Sequence, residues 1–383
     1  MRQREVVVTR MVRSFGKSVS LLRQTVGVLG ALGLASAAMA ADWDAGGGQA
    51  WKDLLERARA EKAPAVIAGC ANAMSGVLPQ AFKRDTGLEI VFLGGALAEV
   101  ESRYRQEATT GRTTIDIRMG GSSEIDLARG GYLVDLREAL ILPDVIDAAR
   151  WTGGDLSFVD NTKRFLAIGS KYVAGRVVVN TDFVPTASIQ SLGDLLKPEF
   201  KGKIAMVDPT VNGAGQSVAA YFSEVKGIDF VKALLTGQEV AYGREGRQVA
   251  EWAARGVYPI IIGADVAEVQ NFRKRGVTSL HAVALKDAPG SLVGGCSVVS
   301  ILKSAPHAAT AAVYANWYLS RAGQEAFVAG SALPSLRADA GMADVPADIV
   351  PEAGRGYIDQ MSEDWYLNTR PRVQADLRRA LDR

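Results

Sequence analysis

The chain has 383 residues, of which 48% are hydrophobic and 22% are charged, and its formal net charge is +2 at neutral pH. This composition is that of an ordinary globular protein, and it excludes a disordered chain or a long coiled coil. The length is sufficient for two hydrophobic cores rather than one.

The first forty residues differ in composition from the rest. They contain six basic residues, one acid (Glu5) and an apolar run at 25–35, which is too short to span a membrane as a helix. The run leads to Ala38-Met39-Ala40, the small-x-small pattern that signal peptidase recognises. We therefore expect residues 1–40 to be a signal peptide cleaved before Ala41, with an uncleaved membrane anchor as the alternative. Either Met1 or Met11 is the start of this leader.

Removal of the leader makes the chain acidic. The leader takes six of the 44 basic residues and one of the 42 acids, so the remainder has three more acids than bases. A nucleic-acid partner would need a concentrated basic face, and we expect none. No cysteine follows the predicted cleavage site to carry a lipid. The mature protein is therefore expected to be periplasmic and not a lipoprotein.

Short apolar runs alternate with amphipathic helical segments from residue 65 onward, which predicts parallel sheets covered by helices. The first predicted strands are 65–69, 89–93 and 115–119, and a loop of small residues follows each one. Ligands bind at the carboxyl ends of parallel strands. Ser122 and Ser123 have the alternative role of capping the helix that follows. The candidate ligand-binding residues of these loops are Cys70, Ala71, Asn72, Gly95, Ala96, Gly121, Ser122 and Ser123.

A second set of strand and helix units begins with the predicted strand 176–180. The strand 204–207 leads into Asp208-Pro209-Thr210 and a glycine-bearing loop at 212–217. Small residues there let the backbone approach a carboxylate or phosphonate closely. The alternative is that these glycines serve only tight turns and helix caps, and that Asp208 is a turn starter rather than a ligand for a cation or an amine. The candidate binding residues of this region are Thr210, Gly213, Ala214, Gly215 and Gln216.

The second set continues with a predicted helix at 244–255 and a strand at 259–263. Arg244 and Arg247 lie at the start of this helix, where the helix dipole disfavours cations, so an acid or an anionic ligand should compensate them. Arginine matches a carboxylate or phosphate with two hydrogen bonds. The alternative for Arg244 is a surface ion pair with Glu245 or Asp265. Ala264 and Asp265 end the strand and open a helix through residue 275, and we include both as candidates.

The return to the first set is predicted through a strand at 280–285, a glycine-rich connector at 287–296, a strand at 297–302 and a helix at 308–320. Tyr172, just before the first crossover, is a candidate to stack on or hydrogen-bond the ligand, or a buried hinge residue. Cys70 and Cys296 are the chain's two cysteines. They are a possible disulfide in an oxidising compartment, or two isolated thiols.

Sequence signatures of enzymes are missing from the chain. It contains no G-x-S-x-G elbow, P-loop or H-E-x-x-H motif, and it has two histidines. Cys70 lacks a histidine in a facing loop that would activate it as a nucleophile. We therefore expect no catalytic residue, no resident metal and no cofactor.

Three stretches resemble the extracellular solute-binding proteins of bacterial importers, in the branch that includes ferric-iron receptors. They are residues 80–90 with the turn Thr86-Gly87, residues 195–204 followed by Asp208-Pro209, and residues 305–324 with Asn316-Trp317-Tyr318. Together with the spacing between them they cover most of the chain after the leader.

The resemblance implies an α/β protein with the two-lobed type II periplasmic-binding-protein fold, each lobe a mostly parallel sheet flanked by helices, joined by a two-strand hinge. Lobe 1 would comprise residues 41–175 and 290–383, and lobe 2 residues 176–289. Hinge closure would bury a small polar, anionic solute. Such a protein is the monomeric substrate-binding subunit of an ABC transporter, whose other partner is the permease in the inner membrane.

The sequence departs from the iron receptors that it resembles. Those proteins usually hold Fe(III) with two adjacent tyrosines, and none of the ten tyrosines here is next to another. Iron binding through other ligands is therefore an alternative function. A sensory receptor is another, and a lyase or transferase on the same scaffold is a third.

Overall fold

A computed structural model of the chain describes residues 43–69, 74–93, 97–174, 177–211, 213–264 and 266–380. The predicted leader lies outside these residues. Several predicted binding residues also lie outside them, namely Cys70, Ala71, Asn72, Gly95, Ala96 and Asp265. Among the described residues, no helix has the length and apolar character needed to cross a membrane.

The described residues form three β-sheets with helices packed around them. The strands are β1 Ala65–Ala68, β2 Ile90–Leu93, β3 Ile117–Gly120, β4 Ala167–Ile168, β5 Tyr172–Ala174, β6 Val177–Asn180, β7 Ile204–Val207, β8 Ala241–Gly243, β9 Ile260–Ile262, β10 Leu280–Ala282, β11 Ser291–Val293, β12 Val298–Ile301 and β13 Ile358–Asp359. The helices are α1 Gly48–Ala60, α2 Met74–Thr86, α3 Leu97–Thr110, α4 Ile125–Arg129, α5 Leu136–Ala139, α6 Pro143–Ile146, α7 Ala214–Lys226, α8 Ile228–Lys232, α9 Gly246–Ala254, α10 Val266–Lys274, α11 Ala308–Leu319, α12 Arg321–Ser331 and α13 Arg370–Ala380.

The first sheet has the strand order β2-β1-β3-β12-β4. Strands β2, β1 and β3 are parallel, whereas β12 is antiparallel to both β3 and β4. Every residue of β3 and β12 is buried, because helices or loops cover both faces of the sheet. Trp317 and Phe82 belong to the core on one face, and Tyr104 and Val298 belong to the core on the other. This sheet is built from two distant parts of the chain.

The second sheet has the order β10-β6-β9-β7-β8 and is continuous in sequence. Strands β9, β7 and β8 are parallel, and β6 is antiparallel to β10 and β9. Phe222 and Ile204 lie in the core on one face, and Val249 and Ile261 lie in the core on the other. The prediction of an α/β protein with two sheets flanked by helices is confirmed, and each sheet contains three parallel strands.

A small connecting sheet of order β13-β11-β5 lies where the chain passes between the two larger sheets. Strand β5 runs into β6, and β11 returns the chain to β12. A third strand, β13, pairs in parallel with β11, so the connection has three strands where the sequence predicts two. The predicted boundary also assigns residues 290–383 as a whole to lobe 1. Helix α13 instead packs against α7 and α8, because Val373 and Leu377 bury one face of it in the second core.

Candidate ligand-binding cleft

A cavity of about 440 Å³ is lined by residues from both large sheets and from the connecting sheet. This volume is in the range of small-molecule sites. The first sheet contributes the end of β3, the second contributes the start of α7 and the end of β9, and the connecting sheet contributes β5 and β11. The lining includes Arg118, Gly121, Ser122, Ser123, Tyr172, Gly213, Ala214, Gln216, Gly263, Ala264, Gly294 and Gly295.

The loop after β3 is one wall of the cavity, as the strand pattern predicts. Ser122 to Glu124 form a single 3-10 turn that leads into α4, and no side-chain cap hydrogen bond forms at the start of either element. The hydroxyl of Ser123 instead lies 3.2 Å from Glu124 Oε1, to which it donates. The alternative role of the two serines as helix caps is therefore not seen.

The loop before α7 forms the opposite wall, and its glycines have different roles. Gly213, Ala214 and Gln216 line the cavity. At Gly215 a Cβ atom would lie 2.0 Å from the carbonyl oxygen of Val207, so this glycine is needed for the close packing of α7 on β7. Because residues of the first turn of α7 line the cavity, the N–H groups that a helix start leaves without an intrahelical partner favour an anionic group on this side.

Three other predicted residues lie elsewhere. Thr210 lines a separate cavity of about 160 Å³, and its N–H and hydroxyl both donate to Asp208 Oδ1, which matches the alternative of a turn started by Asp208. Arg244 and Arg247 are exposed, and the described lining of the larger cavity does not include them. The described residues show no ion pair of Arg244 with Glu245. Helix α9 begins at Gly246, which lines the cavity. The side chains of Arg244 and Arg247, on either side of Gly246 in the sequence, are exposed to solvent.

A buried ion pair at the base of the cavity was missed by the sequence reasoning. Arg118 is 1% exposed, and its Nε donates to Glu124 Oε1 at 2.8 Å. Its Nη1 donates to the carbonyl oxygens of Ala68 and Met119 at 3.0 and 3.3 Å. Burial raises the pKa of Glu124, and the charge of Arg118 opposes this shift. An arginine inside an otherwise apolar strand, Ile117-Arg118-Met119, was the signal that could have identified it.

The C-terminal segment was also missed, and it forms a further wall of the cavity. Its lining residues are Gln360, Met361, Trp365, Arg370, Val373 and Gln374. The Nε2 amide of Gln360 donates to the carbonyl oxygen of Ser217 in α7 at 2.9 Å. This bond attaches the segment after β13 to the second sheet. No local sequence pattern connects positions 217 and 360.

Cys296 lies in the cavity lining, is 7% exposed and is disulfide-bonded. Cys70, the only other cysteine of the chain, lies outside the described residues. In the part of the chain that the structure describes, no group of three or more His, Cys, Asp or Glu side chains is placed to hold a metal ion. His307, one of the two histidines, lies with Nδ1 3.0 Å from Asp116 Oδ2 at the start of α11.

The chain forms two mixed sheets with a cavity between them, and it passes from one sheet to the other through short strands. This arrangement defines a type II solute-binding fold. Residues 78–350 match the family described as bacterial extracellular solute-binding protein. The chain belongs to this family, whose members bind solutes outside the cytoplasm. Family and fold thus confirm the resemblance seen in the sequence.

Individual relatives are distant. An uncharacterized protein of Haemophilus influenzae (strain KW20) is 29% identical over 176 residues, which is 45% of this chain and 45% of that protein. The periplasmic binding protein AfuA of Actinobacillus pleuropneumoniae, with fructose-6-phosphate bound, has a TM-score of 0.65 at 18% identity, over 82% of this chain and 98% of that one. Iron-bound HitA of Pseudomonas aeruginosa has a TM-score of 0.62 at 18% identity and the same coverage.

A putative spermidine/putrescine transporter protein of Listeria monocytogenes also has this fold, with a TM-score of 0.61 at 15% identity over 82% of this chain and 98% of that one. A sugar phosphate, iron and polyamines are thus named for proteins of the same shape. At these identities the similarity establishes the fold alone, and the chemistry of the ligand has to be argued from this chain's own cavity.

Proposed function

We propose that this chain is the substrate-binding subunit of an ABC importer, which captures a small anionic solute in the cleft and delivers it to a permease in the inner membrane. The observation that carries the proposal is the cavity between the two large sheets. Residues of both large sheets and of the connecting sheet line it. A hinge at short strands allows two rigid bodies to close over a ligand and to present a different surface when loaded.

The charges of the cavity support an anionic solute. Arg118, Arg273 and Arg370 contribute three cationic side chains to the lining, against two acids, Glu101 and Asp348. Arg118 comes from the first sheet and Arg273 from α10 beside the second sheet, so both halves supply a cation. The first turn of α7 adds N–H donors. The charge of Arg118 is paired with Glu124, so the preference for an anion over a polyamine or free Fe(III) rests on the guanidinium and N–H donors of the lining rather than on an excess of positive charge.

Export and organisation complete the proposal. We propose that the chain reaches the periplasm through a leader cleaved before Ala41, that it works as a monomer without a nucleic-acid partner, and that it has no enzymatic turnover. Residues 41–175 and 290 up to the connecting strand β13 form one lobe, and residues 176–289 with α13 form the other. N-terminal sequencing of the secreted protein tests the cleavage site directly, and a mature chain that retains residues 25–35 would contradict it.

The ligand is tested by gentle purification of the secreted protein and mass spectrometry of whatever molecule co-purifies. Thermal shift against carboxylates, phosphonates, sugar phosphates, neutral sugars, polyamines and Fe(III) then tests the class. A ligand at a hundred times its Kd stabilises the protein by about 2.7 kcal/mol, which is easily measured. Stabilisation by Fe(III) or polyamines alone would disprove the anionic solute. Chemical conversion of the bound molecule would favour an enzyme instead.

A further inference from the structure

We infer that Arg118 is the anion-recognition residue at the base of the cleft, where its Nη2 group donates to an oxygen of a carboxylate, phosphate or phosphonate on the solute, and that Glu124 is the residue that positions it. This inference rests on the proposed function and names the ligand group that the cleft recognises. In this inference Nε and Nη1 of one buried guanidinium bind protein atoms, and Nη2 binds the ligand.

The hydrogen bonds of Arg118 leave one nitrogen for a ligand. Nε donates to Glu124, and Nη1 donates to two backbone carbonyl oxygens, of Ala68 and Met119. Within the described residues Nη2 has no hydrogen-bond partner. The enclosed side-chain atoms that lack a partner do not include Nη2, so this nitrogen is still accessible. Since the residue is 1% exposed and lines the cavity, the cavity is the space from which Nη2 is reached.

The plane of the guanidinium is fixed before any ligand arrives. Its bonds through Nε and Nη1 hold two sides of a rigid planar group, so the direction of Nη2 follows from them. Gly120 makes room for this arrangement, because a Cβ there would lie 2.8 Å from Glu124 Oε1 and 2.9 Å from Arg118 Nε. A donor that is held in place in a site of low dielectric loses little entropy on binding and discriminates strongly.

Glu124 positions Arg118 without contacting the solute. Its Oε1 accepts from Arg118, while its Oε2 is enclosed and has no hydrogen-bond partner in the described structure. A buried ion pair with one unsatisfied carboxylate oxygen costs stability that a pair of apolar side chains would not. A pair of this kind, next to a cavity rather than deep in a core, is expected where recognition requires the charge.

Arg273 offers a natural comparison. It lines the same cavity from α10, but it is exposed at the last turn of the helix. Because water screens exposed charges, its interaction with an anion is expected to be weaker than that of a buried, oriented guanidinium. R118Q and R273Q therefore remove the same charge from the same cavity at a buried and at an exposed position.

The experiment titrates the purified, ligand-stripped protein with inorganic phosphate, methylphosphonate, succinate and glucose 6-phosphate. Glucose is the neutral probe, and putrescine and Fe(III) are the cationic probes. Kd is measured by calorimetry for the wild type, R118Q and R273Q. We expect R118Q to weaken the best anion by about ten- to a hundredfold, the usual effect of a charged hydrogen bond. R273Q is expected to weaken it by about threefold or less, in keeping with a screened surface charge.

A second pair of variants keeps the test decisive if R118Q does not fold. G120A pushes a methyl group into the ion pair without removing any charge, whereas at Gly76, which lies in α2 and outside the described lining of the cavity, an added Cβ has no side chain or neighbouring element within 4 Å. We expect G120A to weaken anion binding and G76A to leave it within about twofold, because the added methyl group there contacts nothing. E124Q, which keeps the shape of the acid, is expected to weaken the anion and to leave the affinity of a neutral probe unchanged.

The outcomes separate the inference from the proposed function. If the wild type binds an anion and folded R118Q or G120A binds it equally tightly, Arg118 is not the recognition residue while the proposed function stands. Equal losses for R118Q and R273Q would also overturn the inference, because they would indicate general electrostatics. If the wild type binds none of the anions and binds putrescine or Fe(III) instead, the anionic solute and the inference are both wrong.

Discussion

Trp365 and Tyr366 are neighbours in sequence, yet their rings belong to different halves of the molecule. Trp365 is buried in the core of the second sheet with Val373 and Leu377. Tyr366 packs against a core of the first sheet, and its hydroxyl lies 2.8 Å from Asp126 Oδ2 and 3.2 Å from the carbonyl oxygen of Ser123. The segment after β13 therefore ties the two halves together at the edge of the cavity.

Removal of the Tyr366 hydroxyl tests this tie. We expect Y366F to lower the free energy of unfolding by about 1 kcal/mol, because the partly buried hydrogen bond to the carbonyl of Ser123 and the exposed one to Asp126 are lost while the ring is kept. Urea unfolding measures the effect. Y132F is the matched control, since Tyr132 is 37% exposed. Equal midpoints for the two variants would show that the hydroxyl of Tyr366 contributes nothing to stability.

Arg337 is expected to be essential for the stability of the first half. It is fully buried, and it donates from Nε to Asp339 Oδ1 and from Nη2 to Asp144 Oδ1, each at 2.9 Å. R337M removes the buried guanidinium and its charged hydrogen bonds to two carboxylates that are each 24% exposed, so it should lose about 3–5 kcal/mol in chemical denaturation. R355M removes an exposed ion pair with Glu352 and should lose about 1 kcal/mol or less. Similar losses in the two variants would contradict this account.

Acid sensitivity follows from the same cluster. The guanidinium of Arg337 lowers the pKa of Asp339 below its usual value. An acid whose pKa is lowered on folding stabilises the fold fully above its unfolded pKa of about 3.9, and this stability is lost as the pH falls below that value. D339N should therefore be less stable than the wild type at pH 7, and the difference should shrink as the pH falls below about 4.

The control for this pH experiment is D344N, because the carboxylate of Asp344 is exposed and 3.7 Å from its lysine partner. Free energies of unfolding at several pH values measure both variants. A difference between the wild type and D339N that stays constant from pH 7 to about pH 3 would show that Asp339 does not act through its charge.

The disulfide of Cys296 gives a prediction about thiol chemistry. Denatured but unreduced protein should not react with iodoacetamide, because Cys296 is bonded and the chain's only other cysteine is Cys70. Reduction should lower the free energy of unfolding by about 2–5 kcal/mol, in the range of a native disulfide. Alkylation of Cys296 before reduction would disprove the bond, and the C70S/C296S double variant is the control for reduction effects elsewhere.

Part of the cavity lining could be predicted from the sequence because the signal is local. A buried strand followed by small residues and a helix start places its loop at a known edge of a parallel sheet, as at Gly121 and Gly213. Arg244 shows the limit of this reasoning. Its position before a helix is visible in the sequence, but the direction in which its side chain leaves the helix start depends on how α9 packs. The structure directs it to solvent.

The sequence by itself determined the alternation of strands and helices, the existence of two sheets and some of the loops that line the cavity, since these depend on the periodicity of neighbouring residues. Only the tertiary structure decided that Arg118 forms an ion pair with Glu124 beside Gly120, that α13 packs on the second half, and that Gln360 is hydrogen-bonded to Ser217. The last two contacts depend on packing between segments far apart in the chain, and the first depends on the path of the loop that follows β3. Local propensity carries no information about which of the possible surfaces such segments will bury.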